Sequence, residues 1–253
     1  MNNAYLQSLE SLSPTDIPIA GHRLGDQDKP PQSRGRDQAG AAYERKAYPR
    51  YAAHVRPLPS PDGGSAVDPL SRASTSAMLA PLRLRADGHG GAPQRDVASP
   101  ADPSLPIECY LIPTRGPEAG FVHYYDADDH ATVRLFPVPD TLLASPPEFL
   151  GTAGWDEAGT FLLIALTGVV YRTMRDHGAR GYRYVLLEAG AMAEAVELAG
   201  RGLGLRSTWL GGFNDSALCN LLGLRPALDM EIPLLLLAVA TGDRGQGTSV
   251  PVV

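Results

Sequence analysis

Two short apolar runs limit most strongly what this chain can fold into. Thr160–Thr167 (TFLLIALT) and Ile232–Ala240 (IPLLLLAVA) carry almost no polar side chain. Each is far shorter than the ~20 residues that span a bilayer. A continuous apolar run of this length suits a strand covered on both faces, because alternating side chains must all be buried. Layers are therefore expected on either side of a sheet. Ile107–Pro113 (IECYLIP) reads as a further strand. Gly120–Tyr125 and Ala131–Phe136 read as two more, and the intervening DADDH supplies turn residues for a β-hairpin. Ser207–Leu210 is a short strand candidate.

Helices are expected between these strands. Ala189, Met192, Ala193, Val196 and Ala199 form one apolar stripe at i, i+3, i+4, i+7 spacing, which predicts a helix over Leu186–Arg201. Glu188, Glu194 and Glu197 are expected off that stripe, and Gly202 and Gly204 should end the helix. Val169–His177 reads as a shorter helix stopped by Gly178. Asn214 or Asp215 can cap another that runs to Leu222. The segment Arg180–Gly190 (RGYRYVLLEAG) reads as a turn whose aromatics pack on the following helix. Strands mixed with helices give an α+β or α/β class.

The N-terminal part differs. Fourteen of the 23 prolines lie at or before Pro106, and Gly21–Gly64 has few apolar residues. Residues 1–70 are expected to be an irregular or poorly ordered arm, and residues 71–253 the folded domain. Short ordered pieces are expected at Ala4–Leu12 and Met78–Leu84. The first residues lack a basic region followed by an apolar core, so no signal peptide and a cytoplasmic location are expected.

Several function classes are disfavoured. A net charge of −6 argues against a nucleic-acid binder, which needs cations to neutralise phosphates. The two cysteines, Cys109 and Cys219, sit in apolar surroundings with no metal-ligand spacing, so they read as buried free thiols. There is no GxSxG, P-loop, HExxH or GxGxxG opening a helix. Gly202-Leu203-Gly204 ends a helix, so its dipole is wrongly directed for a pyrophosphate. Gly211-Gly212, where a strand should end, would let a flat ligand approach the backbone closely.

Taken in order, RGYRYVLLEAG, the Ala199–Leu205 unit, LGGFND, LCNLLGL and EIPLLLLAVATG resemble the SagB-type dehydrogenase branch of the nitroreductase superfamily. That branch includes the azoline oxidases of ribosomally made peptides. A looser resemblance extends it to LPIECYLI and GFVHYYDADDHATVRL, and so to about Leu105–Gly242.

The resemblance implies an α+β fold with a central, mostly antiparallel sheet flanked by helices, built as a homodimer with FMN at the dimer interface. The implied activity is FMN-dependent oxidation of azoline rings to thiazoles or oxazoles in a peptide natural product. The implied partners are a modified precursor peptide and a cyclodehydratase subunit, with neither nucleic acid nor membrane. An NAD(P)H-dependent nitro or quinone reductase and a non-catalytic scaffold subunit are the alternatives.

The catalytic candidates are His177, Asp176 and Tyr182. Asp176-His177 stands where many azoline oxidases carry Lys-Tyr, the pair implicated in proton removal. Imidazole is suited to that task at neutral pH, and Asp176 could orient it. The cofactor-binding candidates are Arg72, Ser74, Ser76, Ser99, Arg180, Arg183, Gly211, Gly212 and Arg244. Of the family's Arg-Arg-Ser-x-Arg phosphate cluster, Arg72-Ala73-Ser74-Thr75-Ser76 keeps the first arginine and the serine. Ser99 is out of register with the family's Pro-Ser-Ala-Gly stretch.

Overall fold

A computed structural model describes residues 55–60, 68, 70–85, 94–95, 104–139 and 160–241. The Ala4–Leu12 piece, Ser99 and Arg244 lie outside these residues. The described strands are β1 (Val55–Pro57), β2 (Leu84–Arg85), β3 (Gln94–Arg95), β4 (Ile107–Pro113), β5 (Phe121–Asp126), β6 (Ala131–Pro137), β7 (Thr160–Val169), β8 (Leu205–Leu210) and β9 (Glu231–Thr241). The helices are α1 (Arg72–Leu79), α2 (Val170–His177), α3 (Arg180–Gly202), α4 (Asp215–Leu222) and α5 (Pro226–Asp229). A 3₁₀ turn, Ala80–Leu82, follows α1.

Seven strands form one sheet in the order β1-β6-β5-β4-β7-β9-β8. Every neighbouring pair in it is antiparallel. The two apolar runs are its central strands: β7 lies between β4 and β9, and all its residues from Thr160 to Gly168 are buried. Alternation splits their side chains between two cores. Cys109, Leu111, Ile164, Leu166, Leu237 and Val239 face the core that holds α1 and α3. Tyr110, Ile112, Leu163, Ala165, Leu236 and Ala238 face the core that holds α4. The hairpin forms as expected, with Asp126 paired to Ala131. Cys109 and Cys219 are buried free thiols.

Helix α3 departs from expectation at its start. It begins at Arg180, so Arg180–Val185 is helix and not a turn. The buried row Gly181, Val185, Ala189, Met192, Ala193, Val196 and Gly200 continues the apolar stripe back by a turn and a half. Gly181 carries no side chain and so gives no apolar signal, yet its position is tightly packed. A Cβ there would lie 2.7 Å from the Thr173 carbonyl carbon. At Gly168 a Cβ would meet Val185 at 2.7 Å, so the helix also packs closely on the end of β7.

Glu194 is exposed as expected, whereas Glu188 and Glu197 are buried. Both sit at the margin of the stripe, four residues from Met192 and Ala193 respectively, where neighbouring elements cover them. Asn214 is the residue that caps α4, accepting from the Ala217 N–H at 3.0 Å. Gly223, in the left-handed region at φ +66°, ends that helix. Among the described residues no helix is long and apolar enough to cross a membrane.

Candidate active site at the α2–α3 corner

Helix α2 is held at its start by buried polar groups. Arg172 Nη1 donates to the Leu105 carbonyl at 3.0 Å. It also lies 2.6 Å from Glu108 Oε1, as an ion pair off-line for a hydrogen bond. The Tyr124 hydroxyl donates to Glu108 Oε2 at 2.7 Å. Beside it, Glu231 Oε1 accepts from the Tyr110 hydroxyl at 2.9 Å and from Thr167 Oγ1 at 2.7 Å. Thr173 and Ser104 share a hydrogen bond at 2.9 Å. Arg172 and Glu108 tie the first turn of α2 to β4 and, through Tyr124, to β5, while Glu231 joins β9 to β4 and β7. Nearby burial, reinforced by Asp215 and Glu231, pushes the Cys219 thiol up to about 11, so it stays protonated at neutral pH.

The other end of α2 faces solvent. Gly178, at φ +57° and ψ −146°, turns the chain in a conformation open to glycine, and its N–H donates to Met174. Asp176, His177, Arg180 and Arg183 are exposed around this turn, and Tyr182 is half-buried. The Asp176 carboxylate is gripped by Arg175, at 3.2 and 3.3 Å. The His177 ring stands against Tyr184, with centroids 5.1 Å apart and planes at 86°. Burial raises the pKa of the Tyr182 phenol, which therefore remains a proton donor at neutral pH. Among the described residues, Arg180 and Arg183 have no ion-pair partner.

The α1 candidates lie elsewhere. Arg72 donates to the Arg56 and Pro57 carbonyls at 3.0 Å each and pairs with Glu118 at 3.3 Å. Glu118 also binds Arg56, at 2.5 Å. His123 beside it donates through Nε2 to the Glu118 carbonyl at 3.3 Å, and burial lowers its pKa. Arg72, Arg115, Glu118 and His123 line a cavity of about 40 Å³.

Both candidate serines of α1 have engaged hydroxyls. Ser74 donates to the Asp68 carbonyl at 2.8 Å, and Ser76 to the Pro59 carbonyl at 2.6 Å. Ser76 Oγ is also 2.8 Å from His130 Nε2, and having given its one hydrogen to Pro59 it accepts there. The Tyr125 hydroxyl is 2.8 Å from His130 Nδ1 and 3.3 Å from the Leu79 carbonyl, either of which can accept its one hydrogen. Burial, and then Arg83, lower the His130 pKa to about 4.

Within one chain the two groups of candidates do not meet. Met78 of α1 packs at Gly200, near the far end of α3. Gly200 is about 30 Å along the helix from Arg180 at 1.5 Å per residue. Gly211 and Gly212 are exposed just beyond β8, and a Cβ at either would meet nothing within 4 Å. Glu108, Arg172, Glu118 and Glu231 are structural partners that sequence reasoning did not single out. Their contacts join residues far apart, such as Arg72 with Glu118 across 46 positions, which no local pattern reveals.

Residues 106–242, more than half of the chain, match the nitroreductase family. The chain belongs to the nitroreductase family, a family of oxidoreductases. A protein of Methanocaldococcus jannaschii named as a nitroreductase is 30% identical over 145 residues, 55% of this chain and 67% of that one.

Solved structures agree on the fold. A nitroreductase from Ralstonia eutropha superposes with a TM-score of 0.57 at 20% identity, covering 76% of this chain and 91% of that one. The Escherichia coli microcin synthetase McbBCD complex, with truncated pro-MccB17 bound, gives 0.58 at 17% identity, covering 97% of this chain and 83% of the matched chain. A nitroreductase from Anabaena variabilis gives 0.56 at 22% identity; the match covers 66% of this chain but 34% of that longer one.

Proposed function

We propose that this chain is an FMN-dependent dehydrogenase that oxidises an azoline ring in a ribosomally made peptide to the azole, acting as a homodimer. The observation that carries this reading is the α2–α3 corner. Within eight residues, from Asp176 to Arg183, it brings together an exposed imidazole, a half-buried protonated phenol and two exposed guanidinium groups with no ion-pair partner among the described residues. The likeness in fold to the microcin synthetase, determined with a peptide bound, supports the substrate class and a synthetase partner.

The residues fit FMN when shared between two copies. A cavity of about 40 Å³ is too small for a flavin, and α1, which carries Arg72, packs through Met78 near the far end of α3. In the proposed homodimer a second copy would supply its α1 end to the other's corner. Arg180 and Arg183 would then hold the phosphate, aided by the positive end of α3, with Arg72 as a further cation. The open backbone at Gly211-Gly212 would lie against the ring system. Ser99 and Arg244 remain candidates of the same cofactor site.

FMN when bound supplies a hydride acceptor. The protein's own part is proton transfer and placement. An imidazole nitrogen of His177 takes the proton from the azoline ring carbon, and the Tyr182 hydroxyl donates a hydrogen bond that orients the ring. Asp176, held by Arg175, contributes charge at the turn.

The test is the visible spectrum and oligomeric state of the purified full chain with added FMN, followed by incubation with an azoline-containing peptide. Flavin absorbance, a dimer, and loss of two hydrogens from the peptide are expected. Bleaching by NADPH without azoline turnover would replace the reading with a nitro or quinone reductase. Absence of flavin binding would leave a scaffold subunit.

A further inference from the structure

Residues 55–60 form a strap at one end of the seven-stranded sheet. Its ladder with β6 is only three residues long: Val55 lies against Val133, Arg56 against Thr132 and Pro57 against Ala131. Pro57 has no N–H to give to that ladder. Helix α1 supplies much of the remaining grip. Arg72 Nη2 donates to the Arg56 and Pro57 carbonyls, both at 3.0 Å, and Ser76 donates to the Pro59 carbonyl. Arg72 Nη1 is directed at Glu118 Oε1, at 3.3 Å, and at Thr132 Oγ1, at 3.5 Å. Glu118 in turn pairs with Arg56 of the strap. The Leu58 N–H donates to the His130 carbonyl at 2.9 Å, and its buried side chain lines the same cavity as Arg72.

Four acceptors therefore face the four Nη hydrogens of Arg72. A guanidinium recognises phosphate through two parallel N–H groups, and the single Nε hydrogen left over cannot form that pair. The two uses of Arg72 exclude one another. With the strap seated, its carbonyls fill half of the fork. A phosphate gains a two-point contact only when the Arg56 and Pro57 carbonyls move away.

We propose that the strap is an autoinhibitory clasp that closes the Arg72 guanidinium to phosphate, so that anion binding and strap seating oppose each other reciprocally. Phosphate at Arg72 is taken from the proposed function, whereas the grip of Arg72 on the strap stands on the contacts alone.

The experiment locks and loosens the strap in the full chain. To lock it, Val55→Cys is combined with Val133→Cys. Opposed residues of an antiparallel pair lie about 4.5–5.5 Å apart at Cα, within reach of a disulfide, and Cys109 and Cys219 are buried. To loosen it, Leu58→Ala removes a buried side chain from the strap. FMN, and riboflavin as a probe without phosphate, are titrated by quenching of flavin fluorescence. The oxidised double variant should bind FMN at least about tenfold more weakly than the same protein reduced, because only the open fraction binds. Leu58→Ala should bind FMN about threefold or more tighter than wild type, for the same reason. Riboflavin affinity should not move in either. Each arm decides alone if the other variant fails to fold.

Equal FMN affinity in the oxidised and reduced protein would overturn the proposal, as would riboflavin binding that falls in step with FMN. Hydrogen exchange at the Leu58 amide reads the clasp without any flavin. Arg72→Ala should speed it about tenfold or more with exchange in β7 unchanged, and an unaltered rate would show that Arg72 does not hold the strap. FMN affinity that is the same in Arg72→Ala and wild type, or no FMN binding in any form, would remove phosphate from Arg72 and the autoinhibition with it, leaving a purely structural clasp.

Discussion

The two ends of α2 use charge in opposite ways. At its start, Arg172 is nearly buried, at 11% side-chain exposure against 5% for Glu108, and its carboxylate partner also accepts from a tyrosine. At its end His177 is exposed, as are Arg180 and Arg183 at the start of α3, and the two arginines have no carboxylate partner among the described residues. A polar group in the first setting is held in a single arrangement because leaving it unpaired in low dielectric is costly. In the second, the two arginines are open to solvent. The helix thus joins an anchor to a working surface, and substitutions at its two ends should separate stability from binding.

The largest effect is expected at the anchor. Arg172→Ala leaves Glu108 buried without its cation, a change that typically costs about 3–5 kcal/mol. Chemical denaturation of the variant should show a midpoint shift of that size with an unchanged slope. Replacing both partners, with Glu108→Gln and Arg172→Met, should recover a large part of the loss, because no lone buried charge remains. A double variant as unstable as Arg172→Ala alone would show that packing, not charge pairing, fixes this end of α2.

The contrast also explains what the sequence could disclose. The central strands β7 and β9 were legible because burial on both faces leaves an unbroken apolar run. The body of α3 was legible from its stripe, but its first turn and a half were not, since Gly181 packs through its backbone. The corner residues are neighbours in sequence, so Asp176 to Arg183 could be grouped before any fold was known. The anchor could not be, because Glu108, Arg172 and Glu231 come from three separate elements and each looks alone like an ordinary surface charge. Likewise, nothing local showed that Ser76 faces His130 across 54 positions.

That His130 network is a second buried anchor, and it titrates. Its folded pKa of about 4 lies below the ordinary value of 6.5, so the unfolded chain takes up the proton first as pH falls. The stability it contributes is fully present above pH 6.5 and is lost as pH drops from there through 4. The full loss is at most about 3 kcal/mol, at 1.36 kcal/mol per pKa unit. His130 sits at φ +46°, a conformation that asparagine tolerates. His130→Asn should therefore flatten the fall in unfolding free energy between pH 6.5 and 4, although it lowers stability at neutral pH. An acid limb identical in wild type and variant would assign that limb to the carboxylates.

The smallest effect on stability, and the sharpest on binding, is expected at the exposed corner. Arg180→Ala and Arg183→Ala remove groups with no carboxylate partner among the described residues, and should change unfolding free energy by less than about 0.5 kcal/mol. The sign should be neutral or slightly stabilising, because both cations sit at the positive end of the α3 dipole with no acidic residue in that turn. In the proposed reading these two cations hold the FMN phosphate. Each substitution should accordingly weaken FMN binding about tenfold, the value of one charge-assisted contact, as read by quenching of flavin fluorescence. Equal FMN affinity in both variants would move the phosphate contact away from the corner, to Arg72 of α1.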